Sequence, residues 1–200
     1  MAPQPSVYSR KKIIDAAFQL LRKKGWSEVS TRSIAEKLGS STMPIYSNFS
    51  SLDILEKELR EKSYELLKKF QKRSYTEHSL LNLALGYIIF ARDEKKLFRF
   101  LYFEKPTKID WEKMSGMKET FFKEFGEDSK EGKELAKIKP MNQDVLVRYN
   151  WIFTHGLASM ANSGLFDEMS DNLILDYLKN AGEAFYLLGN KLKNDEQKKK

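Results

Sequence analysis

The sequence contains no cysteine among its 200 residues. A disulfide framework and a thiol nucleophile are therefore both excluded, and the composition favours a reducing compartment. It has only two histidines, His78 and His155, and no cluster of metal-ligand residues accompanies either of them in the sequence. A phosphate-binding glycine loop and a nucleophile paired with a histidine base are also missing. We therefore do not expect an enzyme, although one that uses Tyr, Asp or Glu stays open as an alternative, and we expect no cofactor or metal.

Long hydrophobic runs are equally scarce. The longest run covers residues 80–91 and is interrupted by Asn82, which makes it too short to span a bilayer. No N-terminal segment combines a charged start, an apolar centre and a cleavage site. With 41% hydrophobic residues the chain is long enough for one large or two small folded domains. We therefore expect a soluble cytoplasmic protein.

The positive charge is concentrated near the N-terminus. Residues 1–75 carry fifteen Lys or Arg and eight Asp or Glu, a net charge of +7, whereas residues 76–190 have a net charge of −3. A basic segment attached to a mildly acidic body is typical of a protein that binds a polyanion. The alternative interpretation is a solvated charged surface.

The basic segment contains the pattern of a helix-turn-helix motif. A first helix with apolar residues at helical spacing ends at Gly25, and Ser30 is a good N-cap for a short second helix that ends at Gly39. Ser41 is the expected N-cap of a third helix that ends near Ser47. Two short helices separated by a glycine turn are typical of DNA-binding proteins.

The third helix has the residue types expected of a recognition helix. Proline is tolerated in the first turn, so Pro44 fixes this helix rather than breaking it. Thr42 can bond a base edge or a phosphate, while Met43 and Pro44 can contact thymine methyl groups. Tyr46 and Asn48 suit phosphate oxygens. The predicted DNA contacts are Thr31, Arg32, Ser41, Thr42, Met43, Pro44, Tyr46, Ser47 and Asn48.

Residues 10–59 resemble the DNA-binding domain of the tetracycline-repressor (TetR) family. The similar segments are IIDAAFQLLRKKGW and STRSIAEKLGSSTMPIYSNFSSLDIL, which include Ile34-Ala35, Gly39, Tyr46 and Phe49. The resemblance implies an all-α homodimer whose N-terminal domain binds a palindromic operator. It also implies a C-terminal domain whose small-molecule effector changes the affinity for DNA.

The sequence departs from the family pattern at two positions. Ser40 replaces a frequent valine after the turn glycine, and Leu52 replaces the usual lysine that reaches a phosphate at the start of the fourth helix. A charge-assisted contact is therefore in doubt. Arg10, Lys11 and Lys12 could replace it through the N-terminal arm, or they could simply be a solvated helix start.

The rest of the chain also has a helical pattern. A helix is predicted at about 111–125, and two long helices are predicted at about 142–163 and 170–191. The family resemblance implies that these two helices form a dimer interface; the alternative is a monomer core. The predicted interface residues are Tyr149, Ile152, His155, Gly156, Ser159, Tyr177, Ala181 and Phe185.

The segment from Phe98 to Phe125 is rich in aromatic residues and methionine. In the family this region borders the effector cavity, and ligand pockets are mostly apolar. Such residues also fill ordinary cores. The predicted effector contacts are Phe98, Tyr102, Trp111, Met114, Met117 and Phe121.

The sequence therefore predicts an all-α protein with a disordered arm at 1–8 and a three-helix helix-turn-helix domain at 9–50. A helical effector-binding and dimerisation domain follows at 51–191, with a polar tail at 192–200. The expected function is that of a homodimeric repressor released from its DNA operator by a small apolar or aromatic effector. The alternative is a DNA-binding dimer without a small ligand that acts as an adaptor for a protein partner.

Overall fold

A computed structural model of the protein describes residues 8–108, 133, 140–165 and 170–197. Over these residues the chain consists of helices and their connections, with no β-strand, so the predicted all-α class is confirmed. The contacts divide the chain into two units. Residues up to Leu67 and Glu94–Thr107 form the first unit, and Lys68–Asp93 and the residues from Lys108 onward form the second.

The first unit contains the predicted helix-turn-helix. Its helices are α1 (Arg10–Lys24), α2 (Thr31–Leu38), α3 (Met43–Asn48), the part of α4 (Leu52–Gln71) up to Leu67, and α6 (Lys95–Arg99). A 3₁₀ turn at Trp26–Glu28 follows α1, and one π-helical turn at Phe100–Glu104 follows α6. This unit is larger than the domain predicted at 9–50, since α6 and most of α4 belong to it.

The ends of the first helices lie where the cap residues predict. The Ser30 hydroxyl accepts the backbone N–H of Ser33, and the Ser33 hydroxyl accepts that of Ser30, which forms a capping box. Gly39 ends α2 in the left-handed conformation (φ 64°), and Gly25 follows α1 with φ 99°. Both glycines adopt conformations that other residues rarely take.

The start of α3 corrects one prediction. Thr42, not Ser41, occupies the N-cap, because the Thr42 carbonyl accepts the backbone N–H groups of Ile45 and Tyr46. The Thr42 backbone already has near-helical angles (φ −74°, ψ −13°), and no side chain caps this end. Pro44 is consequently the second residue of the helix, where its missing N–H still costs nothing.

All helices of the first unit contribute side chains to one hydrophobic core. Ile13, Ile34, Ile45 and Leu55 from α1 to α4 are fully or almost fully buried, as is Phe100 after α6. The Trp26 ring lies 5.1 Å from the Phe100 ring, centroid to centroid. The short α6 is therefore part of the same hydrophobic core as the helix-turn-helix.

An ion pair fixes the start of α6. The Arg22 side chain on α1 donates two hydrogen bonds to the carboxylate of Glu94, and the Glu94 side chain is buried. The hydrogen bond with Glu94 raises the pKa of Arg22 above its ordinary value. A buried carboxylate needs such a partner, because an unpaired charge there would destabilise the fold strongly.

The second unit contains α5 (Ser79–Asp93), α7 (Pro140–Ser163), α8 (Asp171–Gln197) and the end of α4. Asn162 on α7 donates a buried hydrogen bond of 2.8 Å to the carbonyl of Ala91 on α5. Helix α8 continues to Gln197, past the end predicted at residue 191. The helix predicted at 111–125 lies outside the described residues. No helix of the described ranges is long and apolar enough to cross a membrane.

Gly86 permits a close approach between α5 and the end of α4. A Cβ atom at Gly86 would lie 2.5 Å from the Phe70 carbonyl oxygen and 2.7 Å from the Gln71 Cα. Real Cβ contacts are never that short, and the obstructing atoms belong to the backbone. The two helices would have to separate to admit a larger residue.

We expect Gly86→Ala to lower the free energy of unfolding by about 1–3 kcal/mol, despite the better helix propensity of alanine. Gly182→Ala on α8 is the matched control, since its Cβ would meet no atom within 4 Å. It should be neutral or stabilise by up to about 1 kcal/mol. Urea unfolding of both variants measures the difference, and equal stabilities would contradict the close approach.

Candidate DNA-binding surface

Helix α3 presents large apolar and aromatic side chains to the outside. Met43 is 70% exposed and Tyr46 is 61% exposed, while Ile45 in the same helix and Phe49 directly after it are buried. Thr42 and Pro44 are half-buried beside them. The buried pair fixes the orientation of this helix, and the exposed pair is free to contact another molecule.

The start of α2 adds further groups from the predicted set. Arg32 is exposed at the second position of α2, and Thr31 is half-buried at the first. Ser41 is exposed in the turn before α3. Thr31 and Tyr46 line one common cavity, so the fold brings together two of the predicted DNA contacts.

Ser47 and Asn48 form hydrogen bonds within the protein. The Ser47 hydroxyl donates to the carbonyl of Met43 at 3.0 Å. The Asn48 amide nitrogen donates to the Pro44 carbonyl at 2.8 Å and to the Tyr8 carbonyl at 3.4 Å. A phosphate accepts hydrogen bonds but cannot donate them, so a contact from Asn48 would compete with these bonds. Asn48 is thus the weakest of the predicted DNA contacts.

The cavity beside α3 has a volume of about 150 Å³ and no charged lining residue. Its lining consists of Thr31, Ile45, Tyr46, Phe49, Ser51, Leu52 and Leu55. Leu52, the residue that departs from the family pattern, is 38% exposed at the first position of α4. The cavity is therefore lined by apolar groups and three hydroxyl groups. A lysine at position 52 would have added a cation.

Arg10 is neither a simple solvated residue nor a side chain directed only at DNA. Its guanidinium donates to the Asn48 carbonyl at 2.8 Å and to the Glu58 carboxylate at 2.6 Å. It also lies 4.2 Å from the centre of the Phe49 ring. Sequence reasoning did not identify Tyr8 and Glu58 as members of this site, because no local pattern connects residues 48 positions apart.

The described part of the first unit thus has a capped helix, a glycine turn and a second short helix with an exposed apolar face. The family model described as "Bacterial regulatory proteins, tetR family" matches residues 13–55. Residues 13–55 are therefore a DNA-binding domain of the TetR family type, which supports a regulator of that family. This domain implies a DNA-binding transcription regulator, and the matched residues include every predicted DNA contact. A search of curated proteins found no match for the chain.

The second unit contains the described residues predicted for dimerisation. Ile152 on α7 is 53% exposed, and Tyr149, Gly156 and Tyr177 are exposed as well. Ser159, Ala181 and Phe185 are half-buried, and the Phe185 ring stacks on Tyr149 with centroids 5.7 Å apart. The predicted residues on α7 and α8 are therefore close together.

His155 is directed into the second unit. Its Nδ1 lies 2.8 Å from the Tyr87 hydroxyl oxygen, and its ring stacks on Trp151 with centroids 4.8 Å apart. Burial lowers the pKa of His155, which favours the neutral imidazole. Among the described residues no group of His, Asp and Glu side chains could hold a metal ion.

The residues predicted for effector binding are only partly described. Phe98 is fully buried in the first unit, with its ring centroid 4.9 Å from that of Tyr102 and 5.8 Å from that of Phe103. Tyr102 is half-buried. The other four predicted contacts, Trp111, Met114, Met117 and Phe121, lie outside the described residues.

The uncharged cavity predicts how a cation at residue 52 changes DNA binding. Leu52→Lys should strengthen operator binding at low salt and steepen the plot of log K against log salt by about 0.9 per added phosphate contact. The control is Ile54→Lys, which adds the same charge to an exposed position that does not line the cavity. Fluorescence anisotropy at several salt concentrations distinguishes the two variants. Identical slopes would show that the cavity is not next to a phosphate.

Proposed function

We propose that the protein is a homodimeric, sequence-specific repressor that acts in the cytoplasm. It binds a palindromic operator and is released from it by a small apolar or aromatic effector. The observation that carries the DNA-reading part is the exposure of Met43 and Tyr46 on α3, above the buried Ile45 and Phe49. Apolar side chains on a recognition helix read thymine methyl groups, and a tyrosine hydroxyl bonds phosphate oxygens.

The exposed apolar side chains of the second unit support the homodimer. Tyr149, Ile152 and Met160 on α7 and Tyr177 on α8 are more than a third exposed. An apolar surface of this kind is typical of a protein–protein interface. A twofold dimer presents two recognition helices, which can reach two half-sites about 34 Å apart.

The support for a small effector is the aromatic and methionine content of the segment from Phe98 to Phe125. An effector lowers DNA affinity when it binds more tightly to a dimer form whose recognition helices fit the operator poorly. The full burial of Phe98 against its aromatic neighbours favours the adaptor alternative at that one position.

Selection of DNA from a random pool by the purified protein tests the operator. We expect a palindrome whose binding weakens by about three- to tenfold for Met43→Ala, with the loss confined to particular base positions. Tyr46→Phe should weaken binding to all sequences alike, because its hydroxyl contacts the backbone. Weak binding without sequence preference would instead contradict the proposed repressor.

Gly156 provides a test of the dimer. A Cβ atom there would meet nothing within 4 Å among the described residues, and Gly156 is exposed, so a substituted side chain starts in open space. We expect the wild-type protein to be a dimer in light scattering and Gly156→Trp to be a monomer that no longer binds the palindrome. Lys179→Trp is the control, since it adds the same bulk at an exposed position of α8 outside the predicted interface. A dimeric Gly156→Trp protein would exclude this interface.

A further inference from the structure

Helix α3 has only six residues, and it is too short to be stable by itself. Its last residue is Asn48, whose carbonyl has no partner within the helix. The geometry shows how that end is held. The guanidinium of Arg10 donates to the Asn48 carbonyl at 2.8 Å, and the Asn48 side chain closes back on the Pro44 carbonyl at 2.8 Å.

Arg10 connects three helices at this point. It is the first residue of α1, it bonds the end of α3, and its second nitrogen donates to Glu58 of α4 at 2.6 Å. Its guanidinium also lies 4.2 Å from the centre of the Phe49 ring, within cation–π range. We refer to Arg10, Asn48, Phe49 and Glu58 as the Arg10 clamp.

The placement of the charge follows from helix electrostatics. A cation is unfavourable at the positive start of its own helix, and the first turn of α1 has no acidic residue to offset it. The long Arg10 side chain instead reaches the negative end of α3 and a carboxylate. Both contacts use the planar fork of the guanidinium, which a lysine does not have.

We propose that Arg10 is a positioning residue for the recognition helix and not a contact to DNA phosphate. By holding the end of α3 against α1 and α4, the clamp determines where Met43 and Tyr46 meet the bases. This inference rests on the operator recognition proposed above. It concerns the sequence specificity of binding, whereas a phosphate contact would strengthen binding to all DNA alike.

Three variants of the full chain separate the two roles. Arg10→Met removes the donors but keeps an apolar stem, and Arg10→Lys keeps the charge but loses the fork. Glu58→Gln removes the negative charge of the partner on α4 and leaves an amide oxygen as a weaker acceptor. The control is Lys11→Gln, which removes the neighbouring exposed cation. Operator and non-operator DNA are measured by anisotropy at several salt concentrations, and circular dichroism confirms that each variant is folded.

We expect all three clamp variants to lose roughly three- to tenfold in operator affinity while their salt slopes match the wild type. The decisive variant is Glu58→Gln, because removing a negative charge should strengthen DNA binding if only charge mattered. If the clamp positions α3, Glu58→Gln instead binds the operator more weakly than the wild type does. Its affinity for non-operator DNA is not lowered. If Arg10→Met does not fold, Glu58→Gln decides alone.

The inference is wrong if Glu58→Gln binds the operator as tightly as the wild type. It is also wrong if Arg10→Lys behaves as the wild type while Arg10→Met lowers the salt slope by about 0.9 per contact. A wild-type protein that selects no operator contradicts the proposed function instead. The clamp is then tested by amide hydrogen exchange over residues 43–49, which should be faster in Glu58→Gln, and unchanged exchange would overturn it.

Discussion

The burial of Ile45 and Phe49 is the constraint on which the DNA-binding surface depends. A six-residue helix does not form in isolation, since nucleation costs more than its few hydrogen bonds return. Helix α3 therefore exists because Ile45 within it and Phe49 directly after it belong to the core formed with α1, α2 and α4. The outward-facing residues of α3 depend on that inward-facing pair, and the Arg10 clamp acts on a helix that the pair has already placed.

The polar contacts of the first unit are arranged around this core rather than inside it. Arg22 bonds Glu94 at the start of α6, and Arg60 donates to the Lys105 carbonyl at 2.7 Å after the π-helical turn. The Arg60 guanidinium also lies 5.2 Å from the centre of the Phe100 ring. One arginine from α1 thus bonds the residue before α6, and one from α4 bonds the residue after the π-helical turn that follows α6. Each satisfies a carboxylate or a carbonyl that the short helix cannot satisfy itself.

Much of the fold could be predicted because its signals are local. Ser30 and Gly39 delimit α2 by their cap chemistry, and the apolar spacing of α1 is visible within one window of the sequence. The start of α3 was missed by one residue, since Ser41 and Thr42 are both acceptable N-caps and the backbone decides between them. The division into units was not predictable, because it depends on contacts between distant segments such as Trp26 with Phe100.

In the candidate site, too, the features with local sequence signals could be predicted and those that depend on distant residues could not. The exposed Met43 and Tyr46 follow from helical periodicity, whereas the partners of Arg10 are 38 and 48 positions away in the chain. A charged residue at a helix start has the same local pattern whether it contacts DNA, water or another helix. Only the three-dimensional arrangement shows that its donors are used within the protein.

The position of α6 has a consequence for anyone who builds chimeric regulators from this chain. Leu97, Phe98 and Phe100 are fully buried in the first unit, although they lie forty residues beyond the matched helix-turn-helix segment. A fragment cut within α4 would leave the surface that these side chains cover open to water and prone to aggregation. A transplantable DNA-reading module therefore has to include Glu94–Thr107, joined by a linker that replaces the intervening helices.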